Sequence, residues 1–169
     1  MEEDILSDGK GLEASRHDFL KLMLGGGIAV AAAGALSGEA QAAEEKKYLV
    51  VITHGEDDPN RAVLPWLLLD GLTAKKTYAD DGMEVSVWLV LTGLHGADTK
   101  RNGKIYSEIY KNTVAELQKR VAARGAKMGA CPACGNFFKV EEANLAPGIT
   151  FQGGGWMWKE SVGKQVAVF

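Results

Sequence analysis

From residue 43 onward the chain reads as an α/β domain on a mainly parallel sheet, and two observations carry that reading. Short β-rich apolar runs alternate with helical patterns through the whole segment. The first run, Tyr-Leu-Val-Val-Ile-Thr at residues 48–53, is continuously apolar, as suits a strand covered on both faces. Parallel strands joined through helices require crossovers, which are right-handed in such sheets.

His54-Gly55 ends the first run. Glu56-Asp57-Asp58-Pro59 then reads as a helix start, with Asp58 as cap, Pro59 in the first turn and Asp57 a further capping carboxylate. The pattern carries this helix past Leu67 towards Tyr78, perturbed near Pro65 and closed by Asp80-Asp81-Gly82. Residues 83–92 form a second strand that begins with alternation and finishes fully apolar. Residues 93–103 read as a polar, glycine-bearing loop in which His95 is solvated. A helix is expected over 107–124, with Ile109, Val114, Leu117 and Val121 at roughly helical spacing and Gly125 at its end. Residues 126–130 form a short third strand, and 134–140 turn into a short helix. A fourth strand at 149–151 precedes Gly153-Gly154-Gly155, a helical turn at 156–162 and a last strand at 165–169.

In parallel α/β sheets, sites form beyond the carboxyl ends of the strands. His54, His95 and Cys131 fall there together, after the first, second and third strands. Cys131-Pro132-Ala133-Cys134 contains both cysteines of the chain, spaced so that the sulfurs can meet on one turn. The pair is compatible with a reactive thiolate, a local disulfide or half of a metal site. A structural zinc takes four protein ligands, which His54 and His95 would have to complete. Unpaired N–H donors where a strand passes into a helix favour an anionic sulfur. Arg61 either pairs with Asp57 or Asp58 or lines the cleft.

The first 42 residues differ from the rest. Ser15-Arg16-His17-Asp18-Phe19-Leu20-Lys21 precedes an uncharged Gly/Ala-rich run, residues 22–37, and Ala40-Gln41-Ala42 places small residues where a signal peptidase reads. This order predicts an export signal over 1–42, resembling the twin-arginine type with His17 in place of the second arginine, and a periplasmic or otherwise exported mature domain over 43–169. The run is too short and weakly apolar for a membrane span, so no stable span is expected after processing. Of 19 Lys/Arg and 22 Asp/Glu, 3 and 7 fall in those first 42 residues, so the remainder is close to neutral. It has no basic face, which argues against nucleic acid. Gly153-Gly154-Gly155, with Trp156 and Trp158 beside it, matches no phosphate-binding loop, and no cofactor is expected. The triple glycine reads as a lid, a partner contact or a flexible connection. The first helix is apolar nearly all round, with Val63, Leu64, Trp66, Leu67, Leu68, Leu69 and Leu72, which predicts a homo-oligomer.

Taken in order, these segments resemble the DsrE/DsrF family of small sulfur-relay proteins. The likeness lies in the opening strand with Gly55-Glu56-Asp57-Asp58-Pro59-Asn60-Arg61-Ala62, in the strand at 84–92 followed by Gly93, in Gly125-Ala126-Lys127-Met128-Gly129-Ala130-Cys131 and in the closing Val166-Ala167-Val168-Phe169. It spans residues 47–169. The resemblance implies a Rossmann-like, three-layer fold with about five strands, trimers or hexamers, and a cysteine that carries sulfur as a persulfide, which maps onto Cys131. Cys134 stands where that pattern usually has another residue. The expected function is therefore an exported sulfur carrier or sulfurtransferase acting through Cys131, with Cys134 and His54 as further site residues. Its partners would be sulfur donor and acceptor proteins or small sulfur compounds. Two alternatives stand beside it: a thiol–disulfide redox protein using both cysteines, and a non-catalytic oligomeric module whose cysteines are structural or hold a metal.

Overall fold

The computed structural model describes residues 46–169; the expected export signal lies outside the described residues. The described chain forms a five-stranded parallel sheet. Its strands are β1 (Lys46–Ile52), β2 (Met83–Leu89), β5 (Lys127–Ala130), β6 (Ile149–Phe151) and β7 (Gln165–Val168), in the order β6-β5-β2-β1-β7. A two-stranded hairpin, β3 (Tyr106–Ser107) and β4 (Asn112–Thr113), stands apart. The helices are α1 (Pro59–Asp70), α2 (Leu94–Ala97), α3 (Val114–Ala123), α4 (Pro132–Phe138) and α5 (Gly154–Ser161).

Strand alternation sorts the sheet into two faces. Val50 pairs with Val87, and Ile52 with Leu89. These four join Val85, Met128 and Ala130 in one buried core with Ala62, Val63, Trp66 and Leu69 of α1 and Val114, Leu117 and Val121 of α3. The intervening residues face α5: Glu160 hydrogen-bonds Ser86, and the Trp156 ring lies 5.7 Å from that of Trp88. Gly129 permits this second layer, because a Cβ there would sit 2.8 Å from the Trp156 ring. The result is the three-layer α/β architecture that the sequence predicts.

The local signals account for most boundaries. Asp58 caps α1 by accepting the Arg61 N–H, and Pro59 occupies the first turn, where a missing N–H costs nothing. Pro65 lies inside α1 without ending it.

Four expectations are corrected. The first helix stops at Asp70 instead of running towards Tyr78. The carbonyls that would continue it bond elsewhere: Leu69 O accepts the Tyr78 hydroxyl, and Thr73 O and Lys75 O accept the Arg124 guanidinium. Strand β2 ends at Leu89, not Thr92. The helix expected from residue 107 begins at Val114, because a reciprocal capping box between Thr113 and Glu116 starts it there. Ile109 accordingly belongs to no helix and is 68% exposed on the hairpin turn. Finally, the expected polar loop after β2 contains α2, all four residues of which are buried.

Candidate functional site

Three strands end side by side, and their exits build one site. Where β1 leaves the sheet, the turn His54-Gly55-Glu56-Asp57 folds back on itself. The Gly55 N–H donates to Asp57 Oδ1 at 2.8 Å, and His54 Nδ1 lies 2.7 Å from Asp57 Oδ2. Arg61 Nη1 reaches His54 Nε2 at 3.3 Å. A guanidinium only donates, so Nε2 accepts and the proton sits on Nδ1, facing the carboxylate. Burial alone would raise the Asp57 carboxyl; the nearby Thr92 side chain and hydrogen bonds from the Gly55 N–H and His54 together outweigh it and hold Asp57 below the usual carboxylate range.

This turn presses on the exit of β2. Thr92 Oγ1 and the Gly93 N–H both donate to Thr53 O, at 2.9 and 3.1 Å. The contact needs glycine on both sides. A Cβ on Gly55 would lie 2.1 Å from Thr92 O, and one on Gly93 would lie 2.2 Å from Ile52 O.

His95, on α2, is buried beneath the turn and is 8% exposed, which corrects the solvated loop histidine expected from sequence. Its ring stacks edge-on against Phe138 at 4.8 Å, and neither ring nitrogen has a hydrogen-bond partner among the described residues. Glu56 comes to 3.4 Å from Nδ1, with Arg101 4.0 Å from the same carboxylate. Burial, helped by the Arg101 charge and opposed by Glu56, Asp57 and Asp98, lowers the His95 pKa from its ordinary 6.5.

The thiols sit at the exit of β5. Cys131 occupies the residue before α4; its N–H donates to Leu89 O and its carbonyl accepts the Gly135 N–H, both at 2.9 Å. Cys134 lies one turn on, beside Cys131, and its Sγ accepts the Leu91 N–H at 3.3 Å. Burial raises the Cys134 thiol, and the Leu91 N–H works against that rise. Both cysteines are free, and both pack with Phe138 against the edge of the core. The helix comes this close to the sheet because Gly135 meets the Phe151 ring, where a Cβ would sit at 2.5 Å.

The strand exits thus bring His54, His95, Cys131 and Cys134 to one end of the sheet. The two histidines, however, have other neighbours than the thiols. His54 is held between Asp57 and Arg61, His95 is held by Phe138, and neither ring hydrogen-bonds a thiol among the described residues. Asp57 caps nothing and instead orders the turn, while Asp58 alone caps α1. No group of three or more His, Cys, Asp or Glu is placed to hold a metal ion among the described residues.

Sequence reasoning missed Leu91, Glu56 and Arg101. Leu91 is the least visible of them: it reads as one more apolar strand residue, yet its φ is +54°, in the left-handed region that favours glycine. Glu56 and Arg101 carried a signal, since a charged residue beside a candidate strand-end histidine is a candidate neighbour.

No protein-family model matches the chain, and no curated protein matches it. Solved structures do. The chain is similar to MTH1491 from Methanobacterium thermoautotrophicum, a protein of unknown function, with 14% identity and a TM-score of 0.54 over 73% of this chain and 98% of that one. It is similar also to the ychN protein from E. coli, with 12% identity and a TM-score of 0.54 over 74% and 99% of the two chains. At this identity the likeness is one of fold alone, a three-layer α/β domain with a parallel five-stranded sheet.

Proposed function

We propose that this chain traffics sulfur, with Cys131 receiving sulfane sulfur as a persulfide and Cys134 resolving it. The observation that carries the proposal is the placement of the thiol pair: Cys131 at the carboxyl end of a central parallel strand, with Cys134 one helical turn away and its sulfur already met by a backbone donor. The Cys131 thiolate attacks the outer sulfur of a donor persulfide R–S–SH. A bond forms between Cys131 Sγ and that sulfur, the donor S–S bond breaks, and the thiolate RS⁻ leaves. The Cys131 persulfide then has two fates. An acceptor thiolate takes the outer sulfur and returns Cys131 to a thiolate. Alternatively, the Cys134 thiolate attacks Cys131 Sγ and hydrosulfide leaves. The two cysteines are then oxidised to a disulfide and the sulfane sulfur is reduced to sulfide.

The acceptor and donor are other thiol proteins or small sulfur compounds. Export to the periplasm by a twin-arginine-type route, carried by residues 1–42, belongs to the same reading and is supported by their sequence pattern. Assembly into a trimer or hexamer is supported by apolar side chains left at the surface, among them Leu68, Val162, Val166 and Val168. No helix of the described residues is long and apolar enough to cross a membrane.

The test is mass spectrometry of reduced protein after exposure to a small-molecule persulfide donor. One added sulfur atom is expected on Cys131, retained in Cys134→Ser and absent in Cys131→Ser. No adduct with both thiols free would remove the proposal. The contact between the two thiols favours a second reading, a dithiol–disulfide redox protein. On that reading, a reversible Cys131–Cys134 disulfide forms readily while persulfide donors leave no added sulfur on either residue.

A further inference from the structure

The hydrogen-bond ladder between β2 and β5 ends in an irregular way. In the register that pairs Leu89 with Ala130, the Cys131 N–H donates to Leu89 O. The next rung of a parallel ladder would run from the Leu91 N–H to the Cys131 carbonyl. That carbonyl is taken instead by the Gly135 N–H, as the first bond of α4. The Leu91 N–H goes to Cys134 Sγ at 3.3 Å, so the thiol stands where a backbone carbonyl would otherwise be.

Two neighbouring donors are committed elsewhere. Val90 N–H bonds Ile52 O at 3.0 Å, and Gly93 N–H bonds Thr53 O and Val90 O at 3.1 and 3.0 Å. Among the described residues Leu91 alone points its backbone donor at a sulfur, and it does so from a left-handed backbone with φ +54° and at a residue 57% exposed. A leucine gains nothing from that conformation or from that exposure. Backbone outliers of this kind collect at functional sites.

We infer that the Leu91 peptide N–H is a catalytic donor, holding the anionic sulfur of Cys134 for its attack on the Cys131 persulfide. The inference rests on the sulfur-transfer reading for the step it serves, but not for the interaction itself. A hydrogen bond to a charged sulfur is stronger than one to a neutral thiol, so the donor favours the nucleophilic form of Cys134. As Cys134 Sγ bonds to Cys131 Sγ and hydrosulfide leaves, the charge departs with the leaving group and the Leu91 bond weakens. The donor therefore acts on the attacking state and not on the disulfide product.

The experiment removes the donor, and with it some of the acceptor strength of the Val90 carbonyl that the Gly93 N–H uses. Leu91 is replaced by its α-hydroxy acid in semisynthetic full-length protein, so that the peptide N–H becomes an ester oxygen; Leu91→Gly keeps the N–H and relieves the backbone. In a Cys131→Ser background, the rate of Cys134 alkylation by iodoacetamide is followed against pH. The ester should move the midpoint up by about one pH unit, the amount expected for loss of one hydrogen bond to a charged group. Leu91→Gly should leave the midpoint in place. With Cys131 intact and persulfidated, sulfide release at neutral pH should slow by about tenfold in the ester, in line with the smaller thiolate fraction. A folded ester protein with an unmoved midpoint would overturn the inference, since the bond would then only satisfy a buried amide. An equal shift in Leu91→Gly would overturn it too, by assigning the effect to the leucine side chain. If Cys131 never accepts sulfur while the ester still moves the alkylation midpoint, the sulfur-transfer reading fails and the Leu91 donor stands.

Discussion

Gly55→Ala tests whether the two turns that frame the site are in hard contact. The added methyl carbon would lie 2.1 Å from Thr92 O, 2.9 Å from His95 Cβ and 3.0 Å from the Thr92 carbonyl carbon. None of these atoms is the end of a flexible side chain. Thr92 is fixed through its hydroxyl to Thr53 O, and Gly93 is fixed to the same carbonyl, so the β2 turn cannot retreat alone. The turn at residues 54–57 must lift as a unit, straining the hydrogen bonds of Asp57 to Gly55 and His54. Overpacking against rigid neighbours costs about 1–3 kcal/mol, and this contact belongs at the upper end because backbone is involved. The alanine recovers about 0.4–1 kcal/mol by restricting the unfolded chain, which leaves a net loss of about 2 kcal/mol. With a urea m-value of about 2 kcal/mol/M, the unfolding midpoint should fall by about 1 M. Gly154→Ala is the control, since a Cβ there meets nothing within 4 Å; its midpoint should hold or rise slightly. Chemical denaturation followed by tryptophan fluorescence reads both. A Gly55→Ala midpoint equal to wild type, or an equal fall in Gly154→Ala, would refute the close contact.

Two further perturbations address buried charge. His95 is kept neutral by burial, its folded pKa lying below the ordinary 6.5. The unfolded chain therefore binds a proton first as pH falls, and stability drops below about pH 6.5. His95→Leu should match or exceed wild-type stability at pH 7, because it removes two unpartnered buried nitrogens, and should flatten that acid slope; urea titrations at pH 7.5 and 5.5 measure both effects. On the opposite face of the sheet, the Lys164 side chain is 4% exposed and donates to Glu160, Ser86 and Glu84 at 2.6, 2.7 and 3.0 Å. Lys164→Met removes the cation closest to Glu160, which keeps the Ser86 hydroxyl and Lys127 at 4.0 Å, so it should cost less than the about 3–5 kcal/mol of a fully uncompensated buried charge, and adding Glu160→Leu should restore part of it; a single variant as stable as wild type in urea would contradict this. Lys127 and Lys164 hold the Glu84 carboxyl down to about 2, so the stability it contributes is lost as pH falls from about 4.5 towards 2.

What the sequence disclosed, it disclosed through strong local physics. The Asp58-Pro59 start and the residue at which β6 begins are each set by a few adjacent side chains and lie where expected, and the apolar run into His54 is a strand shifted to Lys46–Ile52. Errors arose where a local signal competed with a tertiary one. The first helix looked longer because nothing nearby announces that Arg124, some fifty residues away, will claim Thr73 O and Lys75 O. The α3 start was legible in Thr113 and Glu116, but the spacing from Ile109 masked it. His95 read as solvated because its neighbours in sequence are glycines and polar groups, whereas its neighbours in space are Phe138 and the Gly55 turn. The convergence of strand exits was legible, and the partners within it were not. Hydrogen bonds to ring nitrogens and thiols depend on side chains brought from three different connections.

The two cysteines are asymmetric in a way that motif spacing alone does not reveal. Cys131 belongs to the sheet: its amide completes the last regular rung of β5, and its carbonyl opens α4. It therefore cannot move far without unpicking one or the other. Cys134 belongs to the helix, and its sulfur replaces the rung that the helix start withdrew from the ladder. A sulfur added to Cys131 would sit on the fixed member of the pair, and the thiol that attacks it sits on the member whose sulfur is tied to the sheet by an N–H···S bond. Attack by Cys134 on Cys131 then weakens that one bond as the charge leaves with hydrosulfide, with no ladder hydrogen bond lost. The reverse assignment, in which Cys134 carries the sulfur and Cys131 attacks, would push an extra atom into the gap beneath Leu91, against a backbone already at φ +54°. Persulfide formed on Cys134 in Cys131→Ser protein, at a rate equal to that on Cys131 in Cys134→Ser, would show that this gap is no barrier and that the order of the two thiols is not set by the fold.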